Sequence, residues 1–235
     1  MKPIILQPDV IERIYKGNQT RLVRLDSHSR ILPEYWRFDS IWPKKEYGND
    51  CYYVEALDKN GNPLEEYTNI GKSPFGKPLQ SLWIQEPWSI LAFNSSEKTL
   101  TVRYKDNECR DCDRSDYADD ALERLFDECA EDYLKAGWKQ YDDGMFYLPP
   151  ERLDTSMSGS PPGRWRSPST MPRWASRGYL EIQSVTYLRL QDIPDADIPM
   201  LGFQRKEDFV ADWDANHKIK WEQSPCVWYM TFKAF

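Results

Sequence analysis

The first helix can be read from the spacing of its apolar residues. Val10, Ile11, Ile14 and Tyr15 recur at helical intervals. Pro8 suits the opening turn, where a missing N–H costs no hydrogen bond. Asp9 and Glu12 precede Arg13 and Lys16, the order the helix dipole favours, and Gly17 supplies the stop. The apolar Ile4-Ile5-Leu6 before it reads as a short strand, and residues 20–25 read as extended. Residues 26–50, which carry Pro33 and Pro43, follow no period and read as irregular. Residues 52–57 and 64–67 flank Asn60-Gly61, a hairpin signal, and Pro63 confines the second arm to an edge.

Farther on, Leu82-Trp83-Ile84 reads as a short buried strand, and Leu100, Val102 and Tyr104 mark the inner face of another. Residues 106–136 are acidic. Ala118, Leu122, Leu125, Cys129 and Tyr133 draw one face of a helix there, with Ser115 or Asp116 as its cap and Gly137 as its stop. Residues 155–170 read as a loop. Leu180, Ile182, Thr186, Leu188 and Leu190 trace one face of a long strand, and residues 207–217 a helix with Phe209 and Trp213 one turn apart. The last ten residues alternate, Cys226, Trp228, Met230 and Phe232 against Val227, Tyr229 and Lys233, which predicts a strand paired inside a sheet or barrel. No internal repeat interrupts this order.

Length and composition bound the picture without naming a function. At 235 residues the chain can bury one substantial core, with room for a second small subdomain. Ten Trp, fourteen Tyr and nine Phe suit a strand-rich domain with aromatic-lined clefts. Thirty-one basic residues against thirty-eight acidic ones give a formal charge of −7, so a nucleic-acid partner requires a local basic patch rather than the overall field. No apolar run approaches the roughly 20 residues of a membrane span, and no signal peptide is evident, so a cytoplasmic protein without membrane partners is expected. Five Cys, an odd number, fit reduced thiols.

Few motifs carry chemistry. Cys109 and Cys112 form a Cys-x-x-Cys, half of a zinc or redox motif, but no second pair follows and neither His28 nor His217 has ligand spacing to it. They are weak metal candidates, and no cofactor is expected. A Gly-x-Ser-x-Gly elbow, a phosphate loop and a dinucleotide fingerprint are all missing from the sequence. The segment 164–177 stands apart. It holds Arg164, Arg166, Arg173 and Arg177 with Trp165 and Trp174, and no acid. Guanidinium groups fork onto phosphates and indoles stack on bases, so this composition suits a nucleotide or nucleic-acid site. It equally suits a structural strap in which Trp174 plugs the core and the arginines satisfy carbonyls or carboxylates.

Met171-Pro172-Arg173-Trp174-Ala175-Ser176-Arg177, followed by a strand and Leu190-Gln191-Asp192-Ile193, resembles phage and prophage proteins of the ASCH-domain type. Further stretches resemble the family in the same order. They are the opening helix with Gly17-Asn18-Gln19-Thr20, then Leu82-Trp83-Ile84-Gln85-Glu86-Pro87-Trp88, then Phe209 with Trp213-Asp214, and finally residues 225–232. The resemblance covers about half of the chain. It implies an α+β fold, a PUA-like mixed β-barrel with flanking helices, formed by residues 1–235 as one domain, with 106–145 as an acidic helical insertion. It also implies RNA, nucleobase or nucleotide binding in a phage protein working in a bacterial host. Arg173, Arg177, Arg164 and Arg166 are the expected contacts to phosphate or base and Trp174 and Trp165 the stacking rings, with Gln19, Thr20, Arg24 and Glu86 along the cleft wall. Some small members are acetylcytidine amidohydrolases using a Lys, a Thr and a Glu. Those positions fall here on Gln19, Leu22 and Leu201, which supply neither base nor nucleophile, so binding without catalysis is the expectation. Two alternatives stay open: a hydrolase with rearranged residues around Thr20 and Glu86, and a factor that meets a host protein through the acidic helix.

Overall fold

The computed structural model describes residues 1–26, 37–46, 49–57, 60, 62–94, 99–112, 119–135, 137–142, 146–147 and 165–235. In chain order its elements are β1 (Lys2–Ile5), α1 (Pro8–Tyr15), β2 (Arg21–Leu25), β3 (Arg37–Glu46), β4 (Asn49–Leu57), β5 (Pro63–Gly71), β6 (Ser81–Gln85), β7 (Trp88–Asn94) and β8 (Thr99–Tyr104). There follow β9 (Cys109–Cys112), α2 (Asp119–Lys135), β10 (Lys139–Gln140), β11 (Phe146–Tyr147), β12 (Tyr179–Arg189), α3 (Lys206–Asn216) and β13 (Cys226–Ala234). The fold is α+β, and no sheet of the described residues closes into a barrel. The chain divides into two compact units, one of residues 1–2, 9–82 and 179–235, the other of residues 3–8 and 83–178.

Strand β13 organises the first unit. It lies between β12 and β2, antiparallel to both, with Tyr187 and Arg24 on either side of Trp228. A central strand covered on both faces loses its polar alternation, and residues 226–230 are all buried. Val227 and Tyr229 pack into a cluster with Leu190, Ile198, Leu201 and the α3 residues Phe209 and Trp213. On the other face the Trp228 ring meets those of Tyr187 and Tyr52 edge-on, at 5.1 and 5.3 Å. Trp213 donates its indole N–H to the Ile219 carbonyl at 2.9 Å, so its buried polar atom is satisfied.

Two features depart from the sequence expectation. The register of β12 against β13 shifts between Ile182 and Ser184. A bulge reverses the side-chain phase, so Leu180 and Ile182 are buried before it and Val185, Tyr187 and Arg189 after it. Thr186 and Leu188, expected on the face of Leu180, are half-buried instead. Residues 37–46, expected to be irregular, form β3, an outer strand of the three-stranded sheet β3-β4-β5. An outer strand tolerates Pro43, and at the other edge Pro63 opens β5.

In the second unit β7, β8 and β9 form an antiparallel sheet whose inner face presents Leu100, Val102 and Tyr104. Helix α2 packs Phe126, Cys129 and Tyr133 into the same cluster, together with Met171 and Ala175. Burial of Phe126 contributes roughly 1.5–3 kcal/mol. Tyr133 adds a hydrogen bond from its hydroxyl to the Leu91 carbonyl at 2.7 Å. The helix ends at Gly137, whose φ of 85° is left-handed. Its N–H bonds the Leu134 carbonyl at 2.9 Å, and that of Trp138 bonds the Tyr133 carbonyl at 3.0 Å, as glycine stops require. The acidic helix thus contributes its apolar face to this core.

Candidate functional site

The basic, tryptophan-rich segment lies wholly in the second unit, where its own backbone is strapped down along its length. The Arg166 N–H donates to the Trp88 carbonyl at 2.7 Å, forming an isolated bridge to β7. Pro168 and Pro172 each open a tight turn, which a fixed φ favours. Gln85 holds the Met171 carbonyl at 3.2 Å, the Tyr104 hydroxyl holds the Ala175 carbonyl at 2.7 Å, and Arg110 holds the carbonyls of Trp174 and Ser176 at 3.0 and 2.5 Å. Ser176 donates in turn to the Ile84 and Gly178 carbonyls at 2.8 and 2.9 Å. Irregular backbone stays rigid when its polar groups are engaged in this way.

This strap forms one wall of a cleft of about 650 Å³. Trp165, Arg166, Ser167, Thr170, Pro172 and Trp174 come from the segment, Trp88 from β7, and Arg124, Leu125 and Glu128 from α2. The Trp88 and Trp174 rings meet edge-on, with centroids 6.3 Å apart. Trp165 keeps 39% of its surface exposed. Arg166 is tied to Glu128 at 2.8 Å with its guanidinium 5.4 Å from the centre of the Trp88 ring, so its charge is largely answered within the protein. The cleft thus combines apolar π-surface with hydroxyls and cations, a lining suited to a planar, polar-edged ligand.

The remaining predicted residues are distributed differently. Arg177 is deeply placed, with its guanidinium paired to Glu86 at 2.8 Å, Asp106 at 2.7 Å and Glu108 at 2.8 Å, and 4.3 Å from the centre of the Tyr104 ring. Burial pushes the Glu86 carboxyl above its ordinary range by more than Arg177 pulls it down. Burial also opposes ionisation of Asp106, but the Arg177 hydrogen bond and backbone N–H groups outweigh it and hold that carboxyl low. Neither Arg177 nor Glu86 is among the residues lining the cleft; their geometry is that of a buried ion-pair hub. Arg173 is exposed on the short turn it opens, and Arg164 lies outside the described residues.

Gln19, Thr20 and Arg24 belong to the first unit. Gln19 is buried with its amide occupied: Arg13 donates to its oxygen at 3.0 Å, and its NH2 donates to the Arg21 carbonyl at 3.0 Å. Thr20 accepts from the Arg21 guanidinium at 3.2 Å, and Arg24 is exposed on β2. Gln19 bridges Leu201, and Leu22 is buried in the adjoining strand. Cys109 is exposed and Cys112 buried, and no group of three or more metal-binding side chains occurs among the described residues. No helix of the described residues is long and apolar enough to cross a membrane.

The sequence reading missed the α2 wall and Trp88. A signal existed for the first: Arg124 and Glu128, four residues apart, flank the apolar stripe of an otherwise acidic helix. Compared with protein-family models, with characterised proteins and with solved structures, the chain matches none.

Proposed function

We propose that the second unit binds a nucleobase-bearing ligand, RNA or a free nucleobase or nucleotide, in the tryptophan-lined cleft without turning it over. One observation carries the reading: Trp88, Trp165 and Trp174 converge on a single cleft of about 650 Å³ that also receives Arg124 and Arg166. A volume within the range of about 300–1,000 Å³ accommodates such a ligand. Each base stacked on an indole contributes about 1–3 kcal/mol whatever its identity. Ser167 and Thr170 supply hydroxyls for a base edge.

The α+β fold, with the motif residues in the family's order, supports treating the chain as an ASCH-type, PUA-like module. Binding rather than hydrolysis is supported by the buried Gln19, Leu22 and Leu201 at the positions where the amidohydrolases need a Lys, a Thr and a Glu. The rings of Trp165 and Trp174 support this reading more than Arg166 or Arg177 do, whose charges are met by Glu128 and by three carboxylates respectively.

Calorimetric titration of the full chain with ribonucleosides, ribonucleotides and short oligoribonucleotides tests the proposal. Trp165→Ala and Trp174→Ala are each expected to weaken binding about tenfold, the value of one lost stack. Failure of the unaltered protein to bind any base-bearing probe defeats it.

A further inference from the structure

We infer that Arg103, Lys105 and Arg124 form a phosphate-binding ledge beside Trp165, so that the cleft takes a base together with a phosphate. This rests on the cleft being a base site. Strand β8 turns Leu100, Val102 and Tyr104 inward, which places Thr101 and Arg103 on its outer face, with Lys105 following in the same phase. The Lys105 ammonium lies 3.9 Å from the centre of the Trp165 ring and the Arg103 guanidinium 5.1 Å. Arg124, exposed on α2, lines the same cleft as Trp165.

Among the described residues, several cations near the cleft are answered within the protein. Arg166 answers Glu128, Arg177 answers Glu86, Asp106 and Glu108, and Arg110 holds carbonyls. Among the described residues Arg103, Lys105 and Arg124 make no ion pair. Asp106, Glu108 and Glu128 are engaged by those arginines, and Asp111 accepts from the Thr101 hydroxyl at 2.7 Å. Cations held together without counter-charges favour an anion between them.

Unsatisfied buried groups make a second, independent observation. The Arg103 Nε and the Ser89 Oγ are both buried with no hydrogen-bond partner. Ser89 faces Arg103 across the β7–β8 ladder, on the same outer face of the sheet. Buried donors seldom go without an acceptor. A phosphate offers several strong acceptors, a fork for guanidinium and a charge for ammonium. Next to stacking indoles, the anion matching this arrangement is the phosphate of a nucleotide, whether a terminal monoester or a backbone diester.

Calorimetry on the full chain separates the outcomes, with the four ribonucleosides, their 5′-monophosphates and 5′-hydroxyl hexaribonucleotides as probes. The protein is expected to bind a monophosphate roughly tenfold or more tightly than its nucleoside, the value of about one charge-assisted contact, and to lose that margin as salt rises. In Lys105→Gln/Arg124→Gln the ratio of monophosphate to nucleoside affinity falls towards one, whereas Lys105→Arg keeps it. Hexamers that bind more tightly than monophosphates assign the ledge to a diester; monophosphates that bind at least as well assign it to a terminal phosphate. Equal binding of nucleoside and monophosphate, or a ratio unchanged in the double variant, overturns the ledge and leaves the base site standing. Binding of no probe at all overturns both.

Discussion

Replacing Arg177 by Met removes the one cation that three carboxylates share, and its cost can be worked from their exposure. The Arg177 and Glu86 side chains are 9% and 2% exposed, whereas Asp106 is 27% and Glu108 71% exposed. Breaking a buried pair from one side costs about 3–5 kcal/mol, because the abandoned charge stays in a poor solvent. The exposed Glu108 arm is worth no more than about 1 kcal/mol. Arg177→Met is therefore expected to lose about 3–5 kcal/mol at pH 7, and Glu108→Gln under about 1. Arg177→Met/Glu86→Leu is expected to lose less than the sum of its single changes, because the second change removes the stranded carboxylate. Urea unfolding of the four variants, followed by tryptophan fluorescence, measures this. Acid supplies an internal check. With Arg177 gone, burial and the neighbouring Asp106 and Glu108 raise the folded-state pKa of Glu86 further above its unfolded value. The folded variant then keeps a proton that the unfolded chain has released. Its deficit is full above that folded-state pKa and closes as the pH falls towards about 4.3, the ordinary glutamate value. A deficit that stays constant from pH 7 to pH 4.5, or single losses that add without coupling, refutes the ion-pair hub.

Other positions give sharp expectations. Gly202 has φ +89°, and a Cβ there would lie 2.5 Å from the Arg13 Nε and 3.0 Å from the Gln19 amide oxygen. Gly202→Ala should lower stability by about 1–3 kcal/mol in thermal or urea unfolding; no change would show that Arg13 swings aside freely and that the backbone relaxes. Truncating Phe126 to Ala in the α2 core should cost about 3–5 kcal/mol and reduce nucleotide binding in calorimetry, since the same helix carries Arg124 and Glu128. Cys129 is buried, and burial pushes its thiol up to about 11. Iodoacetamide at pH 8 should therefore modify the exposed Cys109 well before Cys129, as peptide mapping by mass spectrometry can follow. Asp106, held below its usual range mainly by the hydrogen bond from Arg177 against the pull of burial, stabilises the fold above about pH 3.9, and that contribution disappears on acidification. Asp106→Asn should accordingly flatten the acid limb of the unfolding profile.

Much of the fold was legible wherever one periodicity ran uninterrupted against one environment. Helix α1 buries Ile11 and Ile14 and stops at Gly17 with φ +73°, α3 buries Phe209 and Trp213, and β8 alternates from Leu100 to Tyr104. Legibility failed where two environments or a local defect broke the period. The bulge after Ile182 reverses the phase of β12, and no feature of Gln183 or Ser184 announces it. Pro43 hid β3, because proline argues against a strand until the strand is known to be an outer one. At the cleft, Trp165, Arg166 and Trp174 of the segment singled out by its basic composition line one wall. Composition could not distinguish Arg166, beside the cleft, from Arg177, buried among acids, since that difference comes from residues far away in sequence. The α2 wall was missed because an acidic helix next to a basic segment reads as two separate features until their side chains are seen to share a core.

The position of β13 also has a consequence for biosynthesis. Leu25 pairs with Val227, about two hundred residues later, so β2 leaves the ribosome without the strand that completes it. Meanwhile nearly all of the second unit, residues 83–178, has been made as one continuous stretch and can assemble first. The first unit must keep Leu22 and the apolar residues of β12 from other edges until residues 226–234 emerge. Slow elongation or a stall before Cys226 would expose a long, half-paired strand, making the interval before β13 arrives the most aggregation-prone moment in the life of this protein.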